Sequence, residues 1–93
     1  MIRSFKDEAT QAICEGRPAR SLPADIHTTA RRKLRMLDAA QDVKDLLVPP
    51  GNHLEALKSD RKGQFSIRIN TQWRICFVWK PGSAHDVEIV DCH

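Results

Sequence analysis

Two stretches of the chain concentrate groups that can hold a polyanion. Residues 17–35 carry Arg17, Arg20, Arg31, Arg32, Lys33 and Arg35 against one acid, Asp25. Residues 58–80 carry Lys58, Arg61, Lys62, Arg68, Arg74 and Lys80 against one acid, Asp60. Twelve of the fifteen basic residues therefore share two windows with two of the twelve acids. Such segregation builds either a positive surface suited to a phosphate chain or a solvated helix face with ordinary strand charges beside it. Among the remaining acids, Asp38, Asp42 and Asp45 are expected on a face away from the basic one. Other chemistries leave no mark. There is no glycine-rich phosphate loop and no G-x-S-x-G, and Cys92, His93, His53 and His85 are not spaced as zinc ligands are. No metal and no cofactor is expected.

The elements that would position these groups must fit into 93 residues. That length suits a single domain, 1–93, with a thin core and a shallow cleft rather than a deep pocket. The longest apolar run, Ile75 to Trp79, is five residues, against about 20 for a membrane span. Arg3, Lys6, Asp7 and Glu8 at the start are unlike a secretory signal. The three cysteines, Cys14, Cys76 and Cys92, are odd in number and have no C-x-x-C spacing, so reduced thiols in the cytoplasm are expected and no membrane.

Hydrophobic spacing divides the chain. Ile2 to Phe5 reads as a short edge strand. Phe5, Ala9, Ala12 and Ile13 have helical spacing, with Ser4 and Asp7 as capping residues and Gly16 at the far end, which predicts a helix over Lys6 to Glu15. Ile26, Ala30, Leu34 and Leu37 predict a longer helix from Pro23 to about Gln41. Arg31 and Arg35 fall on its far side, and Lys33 lies near the apolar stripe, where its amine would have to snorkel to water. Val43 to Val48 fits no single period, and Pro49-Pro50-Gly51-Asn52 must be a connection.

Beyond this the period becomes two. Phe65, Ile67 and Ile69 alternate with Ser66, Arg68 and Asn70; Trp73, Ile75, Phe77 and Trp79 alternate with Arg74 and Cys76; Val87 and Ile89 continue after the turn at Pro81-Gly82. The prediction is an α+β domain: two N-terminal helices packed on a small antiparallel sheet made of the short N-terminal strand and a C-terminal three-stranded meander. Keeping the apolar faces together allows Ile69 to pair with Trp73, which sets Arg68 opposite Arg74. Like charges across a ladder cost roughly 0.2–1 kcal/mol. An anionic ligand on that face would remove the penalty, as would a register shift of two.

The stretches Pro50-Gly51-Asn52-His53-Leu54-Glu55-Ala56-Leu57-Lys58, Asp60 to Asn70, Gln72-Trp73-Arg74-Ile75-Cys76-Phe77 and Val87 to Asp91, with the Met1-Ile2-Arg3-Ser4-Phe5 opening, carry a likeness over essentially the whole chain. The sequence resembles a HigB-type toxin of the RelE/ParE toxin–antitoxin superfamily, whose fold has the same two-helices-then-meander order. The resemblance implies a toxin of a type II system that cleaves messenger RNA in the ribosomal A site. It also implies a neighbouring HigA-like helix-turn-helix antitoxin, with operator DNA bound through that antitoxin.

Metal-independent RNA cleavage must deprotonate a 2′-hydroxyl, stabilise charge on the phosphorane and protonate the departing 5′-oxygen. By the resemblance, Arg74 is the strand arginine that meets the phosphate, with a planar fork suited to it. Lys58, before the D-R-x-G stretch, is a further phosphate or charge-stabilising contact. Asp91 and His93 match the first and third members of the family's Asp-Tyr-His ending, where a near-neutral imidazole oriented by a carboxylate moves protons. Arg61, Lys62 and Arg68 are expected along the RNA or ribosomal backbone. The chain departs from the pattern in having Cys92 where tyrosine is common, and it contains no tyrosine. Either activity is reduced, or Asp91 and His93 carry the chemistry without it. Some relatives have histidine at the position of Glu55; here the histidine is His53, and Glu55 is itself a candidate base. Two other functions stay open: a gyrase-poisoning toxin of the ParE kind, which lacks the nuclease site, and a non-toxic nucleic-acid-binding module.

Overall fold

A computed structural model describes residues 1–91; Cys92 and His93 lie outside the described residues. The first helix, α1 (Glu8–Cys14), begins at its cap. Asp7 accepts from the Thr10 amide at 2.7 Å, so Lys6 stays outside the helix. At the other end Gly16 has a φ of +84°, a left-handed turn that glycine takes without strain. The Arg17 and Gly16 amides fold back onto the Ala12 and Ile13 carbonyls at 2.8 and 3.1 Å, which closes the helix. The second helix is entered through a 3-10 turn, Ala24–Ile26, and runs as α2 (His27–Ala39).

The predicted apolar stripe of α2, Ile26, Ala30, Leu34 and Leu37, is buried. Lys33 departs from the expectation. It does not reach water but is 5% exposed, and its Nζ donates to the Oδ1 of fully buried Asn52. Burial holds its pKa below the ordinary lysine value, with the nearby Arg32 charge acting in the same direction. Arg31 also turns inward, its Nε donating to the Ile13 carbonyl at 2.9 Å and tying α2 to α1.

The segment without a clear period folds as a 3-10 turn, Val43–Leu47, opened by reciprocal capping between Asp42 and Asp45, with Leu46 fully buried. A further 3-10 turn, Pro50–Asn52, ends at His53, whose φ is +46°.

The sheet has four antiparallel strands in sequence order: β1 (Glu55–Ala56), β2 (Gln64–Arg68), β3 (Trp73–Lys80) and β4 (Ser83–Asp91). Its fourth strand is thus Glu55–Ala56, and the N-terminal segment instead makes two isolated parallel bridges to β4, Ile2 with Ala84 and Phe5 with Val87. Asp38 secures this segment by accepting from the Ile2 amide at 2.8 Å. The β2–β3 turn is closed by Asn70, whose Oδ1 accepts from the Gln72 and Trp73 amides, both at 2.8 Å.

Ile67, Ile75, Phe77, Val87 and the helix stripe meet in one core. Strict alternation would put only one of Ala84 and Val87 inward, since they are three residues apart, yet both are fully buried. The ladder shifts between Cys76 and Val78, where β4 supplies an extra residue, and Asp86 at a φ of +52° marks the bulge. Thr10, also fully buried, accepts from the Ile89 amide at 2.9 Å and fastens α1 to β4. Among the described residues, no helix is long and apolar enough to cross a membrane.

Candidate active site

Alternation leaves a second row of side chains on the sheet face away from the helices. Register places Ser66 beside Cys76 and Arg68 beside Arg74, with Glu55 opposite Ser66 and Val90 opposite Arg74. Over this row lies a cleft of about 260 Å³ lined by Glu55, Leu57, Arg61, Ser66, Arg74, Cys76, Val90 and Asp91. A wider groove of about 560 Å³ runs along residues 18–24 with His27 and Trp73. The smaller cleft is the better site because it gathers cations, carboxylates and a hydroxyl that can act on a phosphodiester.

Arg74 is the most constrained cation there, its side chain only 13% exposed. Nε donates to the Ser66 hydroxyl at 2.8 Å and Nη2 donates to the His53 carbonyl at 2.7 Å. Glu55 Oε2 stands 3.9 Å from Nη2, on a side chain that is 63% exposed. The contact is an open, long one, and solvent screens it strongly. Two neutral acceptors thus fix the guanidinium without cancelling its charge, which suits binding a phosphate whose charge grows during reaction.

The other expected residues are distributed unevenly. Asp91 lines the cleft, and its Oδ2 accepts from Gln72 Nε2 at 3.0 Å. Arg68 is held by two contacts, with Nε donating to the Asn70 carbonyl at 3.2 Å and Nη1 to the His53 ring Nε2 at 3.3 Å. Because a guanidinium only donates, that contact assigns an acceptor lone pair to Nε2. Arg61 lines the cleft but is engaged, pairing with Glu88 at 2.7 Å and with Gln64 at 3.1 Å. The Glu88 hydrogen bond raises its already high pKa. Lys58 and Lys62 are exposed at the ends of the 3-10 turn Ser59–Arg61, and neither lines the cleft. His93 lies outside the described residues. Asp38, Asp42 and Asp45 serve as caps and ties elsewhere, and none lines the cleft.

Sequence reasoning missed the two groups that hold Arg74. Ser66 carried a usable signal: once Arg68 pairs with Arg74, position 66 is the diagonal neighbour on the same face, within reach of a long side chain. The His53 carbonyl carried none, since it depends on a left-handed residue after a turn. The Arg61–Glu88 pair was hidden by its separation of 27 residues.

Among solved structures, the fold is similar to YafQ from Escherichia coli BL21(DE3), with a TM-score of 0.63 at 12% identity, covering 98% of this chain and 91% of that one. It is also similar to a chain of the YoeB–YefM complex from Staphylococcus aureus, with a TM-score of 0.58 at 15% identity over 100% and 98% of the two chains. At these identities the likeness defines the fold alone. The family described as RelE-like toxin of type II toxin–antitoxin system HigB matches residues 3–93. Toxin HigB-1 of Vibrio cholerae serotype O1 is 42% identical over 85 residues, 90% of each chain. Endoribonuclease HigB of Proteus vulgaris is 30% identical over 93 residues, the whole of both. The chain belongs to the HigB-like toxin family: it is a RelE-like toxin of a type II toxin–antitoxin system, and its partner is an antitoxin.

Proposed function

We propose that this toxin is a metal-independent endoribonuclease that cuts messenger RNA in the A site of the ribosome, and so stops translation and growth. Endoribonuclease activity accords with its family and with the name of its Proteus vulgaris relative. The observation that carries the reading to this chain is Arg74, held at two points by neutral acceptors within a cleft that also contains Asp91.

In the proposed reaction a 2′-hydroxyl loses its proton and attacks the adjacent phosphorus. The bond to the 5′-oxygen then breaks, and that oxygen takes up a proton, leaving a cyclic phosphate and a 5′-hydroxyl. Arg74 binds the phosphoryl oxygens as their charge rises. Asp91 and His93 move the protons, and Lys58 adds charge stabilisation from the cleft's margin. Arg68 and Lys62 follow the RNA or ribosomal backbone, with Arg61 contributing from its ion pair. Glu55 is a carboxylate that joins the list of candidate bases, since it lines the cleft beside Arg74.

The whole of 1–93 is read as one toxin domain acting in the cytoplasm. Its antitoxin is read as a HigA-like helix-turn-helix protein that supplies the operator DNA contacts. The gyrase and non-toxic readings are not favoured, because they give the tethered Arg74 no task.

Induced expression of the wild type beside Arg74→Ala and His93→Ala, with mapping of transcript 5′ ends, tests the proposal. Cuts inside translated frames that vanish in the variants are expected. Growth arrest with intact transcripts would refute it.

A further inference from the structure

Arg74 owes its second tether to the backbone of His53, and that carbonyl is set from beneath by one fully buried polar side chain. Asn52 is 0% exposed and makes three side-chain contacts. Its Oδ1 accepts from Lys33 Nζ, while Nδ2 donates to the Leu46 carbonyl and to Met36 Sδ, both at 3.1 Å. These partners belong to α2 and to the 3-10 turn Val43–Leu47, elements on the helix side of the molecule. The Asn52 amide also closes the turn onto Pro49 at 3.0 Å, and the His53 amide onto Pro50 at 3.1 Å.

His53 itself has φ +46° and ψ 55°, the left-handed region in which asparagine and glycine sit more readily than most residues. The His53 carbonyl directly follows the turn that Asn52 ends, so its aim depends on where Asn52 is anchored. Both amide N–H donors are used and the amide oxygen accepts from Lys33, so the side chain is held at both of its polar atoms.

We infer that Asn52 is a positioning residue for Arg74, acting through the His53 carbonyl and supported by the buried Lys33 ammonium. The inference rests on the reading of Arg74 as the phosphate-binding arginine. It assigns a catalytic consequence to two buried groups that touch no RNA. Loss of the Asn52 amide frees the turn, lets the carbonyl drift from Nη2 and leaves Arg74 with the Ser66 hydrogen bond and the long, open Glu55 contact.

The test is single-turnover cleavage of a message on translating ribosomes by the full chain, compared at equal folded fraction for wild type, Asn52→Ala, Arg74→Ala and the double variant. A fall of about 10-fold is expected for Asn52→Ala, the size associated with a weakened hydrogen bond to a charged group. No further fall is expected when Asn52→Ala is added to Arg74→Ala, because the two act on one group. In nitrogen NMR of the Arg74 guanidinium, Asn52→Ala is expected to move the Nη resonances more than Nε, which Ser66 still holds. Losses that multiply, or equal movement of all the nitrogens, would overturn the inference.

His53→Val against His53→Asn gives an independent arm. Both lack the ring, but only asparagine is at ease at this φ. Valine is expected to cleave more slowly than asparagine, and equal rates would overturn the inference even if Asn52→Ala fails to fold. Full activity in Arg74→Ala would instead refute the underlying reading of the site.

Discussion

Arg68 and Arg74 are direct cross-strand partners on one face of the sheet, and both guanidinium groups end on the same residue, His53. Arg74 takes its carbonyl at 2.7 Å and Arg68 its ring nitrogen at 3.3 Å. Two like charges that face each other across the ladder are thereby each given an acceptor on one residue. The charge of the pair remains available to an anion, which is the property that a phosphodiester site needs.

Ser66 fixes the other end of the Arg74 fork, and it is fully buried. Ser66→Ala removes an acceptor for a charged donor, so cleavage is expected to fall about 10-fold. The melting temperature should also fall, because the alanine leaves the Arg74 Nε donor, on a side chain only 13% exposed, without its acceptor. Cleavage kinetics and a melting curve on the same preparation check this.

The salt dependence of RNA binding is expected to separate the basic residues. Each exposed lysine that meets a phosphate contributes about 0.7 to the slope of log affinity against log salt for a single strand. Lys58→Ala and Lys62→Ala should each lower the slope by that amount. Arg61→Ala should lower it by less, since Glu88 already answers its charge at 2.7 Å. Glu88→Gln should raise the slope by releasing Arg61. Binding of a short RNA titrated across salt concentrations measures all four.

The architecture was legible where one rule governed each stretch. Period 3.6 in Ile26, Ala30, Leu34 and Leu37 and period two in Phe65 to Phe77 fix the layers. Keeping the apolar faces together left two registers open, and the ladder takes the one that pairs Arg68 with Arg74. The illegible parts depend on long-range satisfaction of polar groups. Lys33 looked like a snorkelling lysine because nothing local announces that Asn52, 19 residues away, offers an amide oxygen inside the core. Likewise the two-residue strand Glu55–Ala56 has no period to read, and it exists because β2 offers it an edge. Within the site, residue types gave the cation, but its two tethers arise from register and from a left-handed turn.

Buried Lys33 predicts a pH dependence of stability. Its folded pKa lies below the ordinary 10.5. Below the folded value both states are protonated, and the cost of the buried ammonium is fully present. Between the folded value and 10.5 the unfolded chain binds more protons than the folded one, so this group's contribution to stability rises with pH. Lys33→Met has no such titration. The stability of the wild type relative to Lys33→Met should therefore increase from neutral pH towards 10.5, read from urea unfolding at each pH. A constant difference would contradict the assignment.

The most direct test of the account is cleavage of a defined message on purified translating ribosomes, with the codon in the A site known and Arg74→Ala alongside. Cuts by the wild type are expected only at the A-site codon. Arg74→Ala should cleave about 10²–10³-fold more slowly, as expected for losing one transition-state donor, with an unchanged circular dichroism spectrum. Equal cleavage by the folded Arg74→Ala protein, or equal cutting of the same RNA without ribosomes, would contradict it.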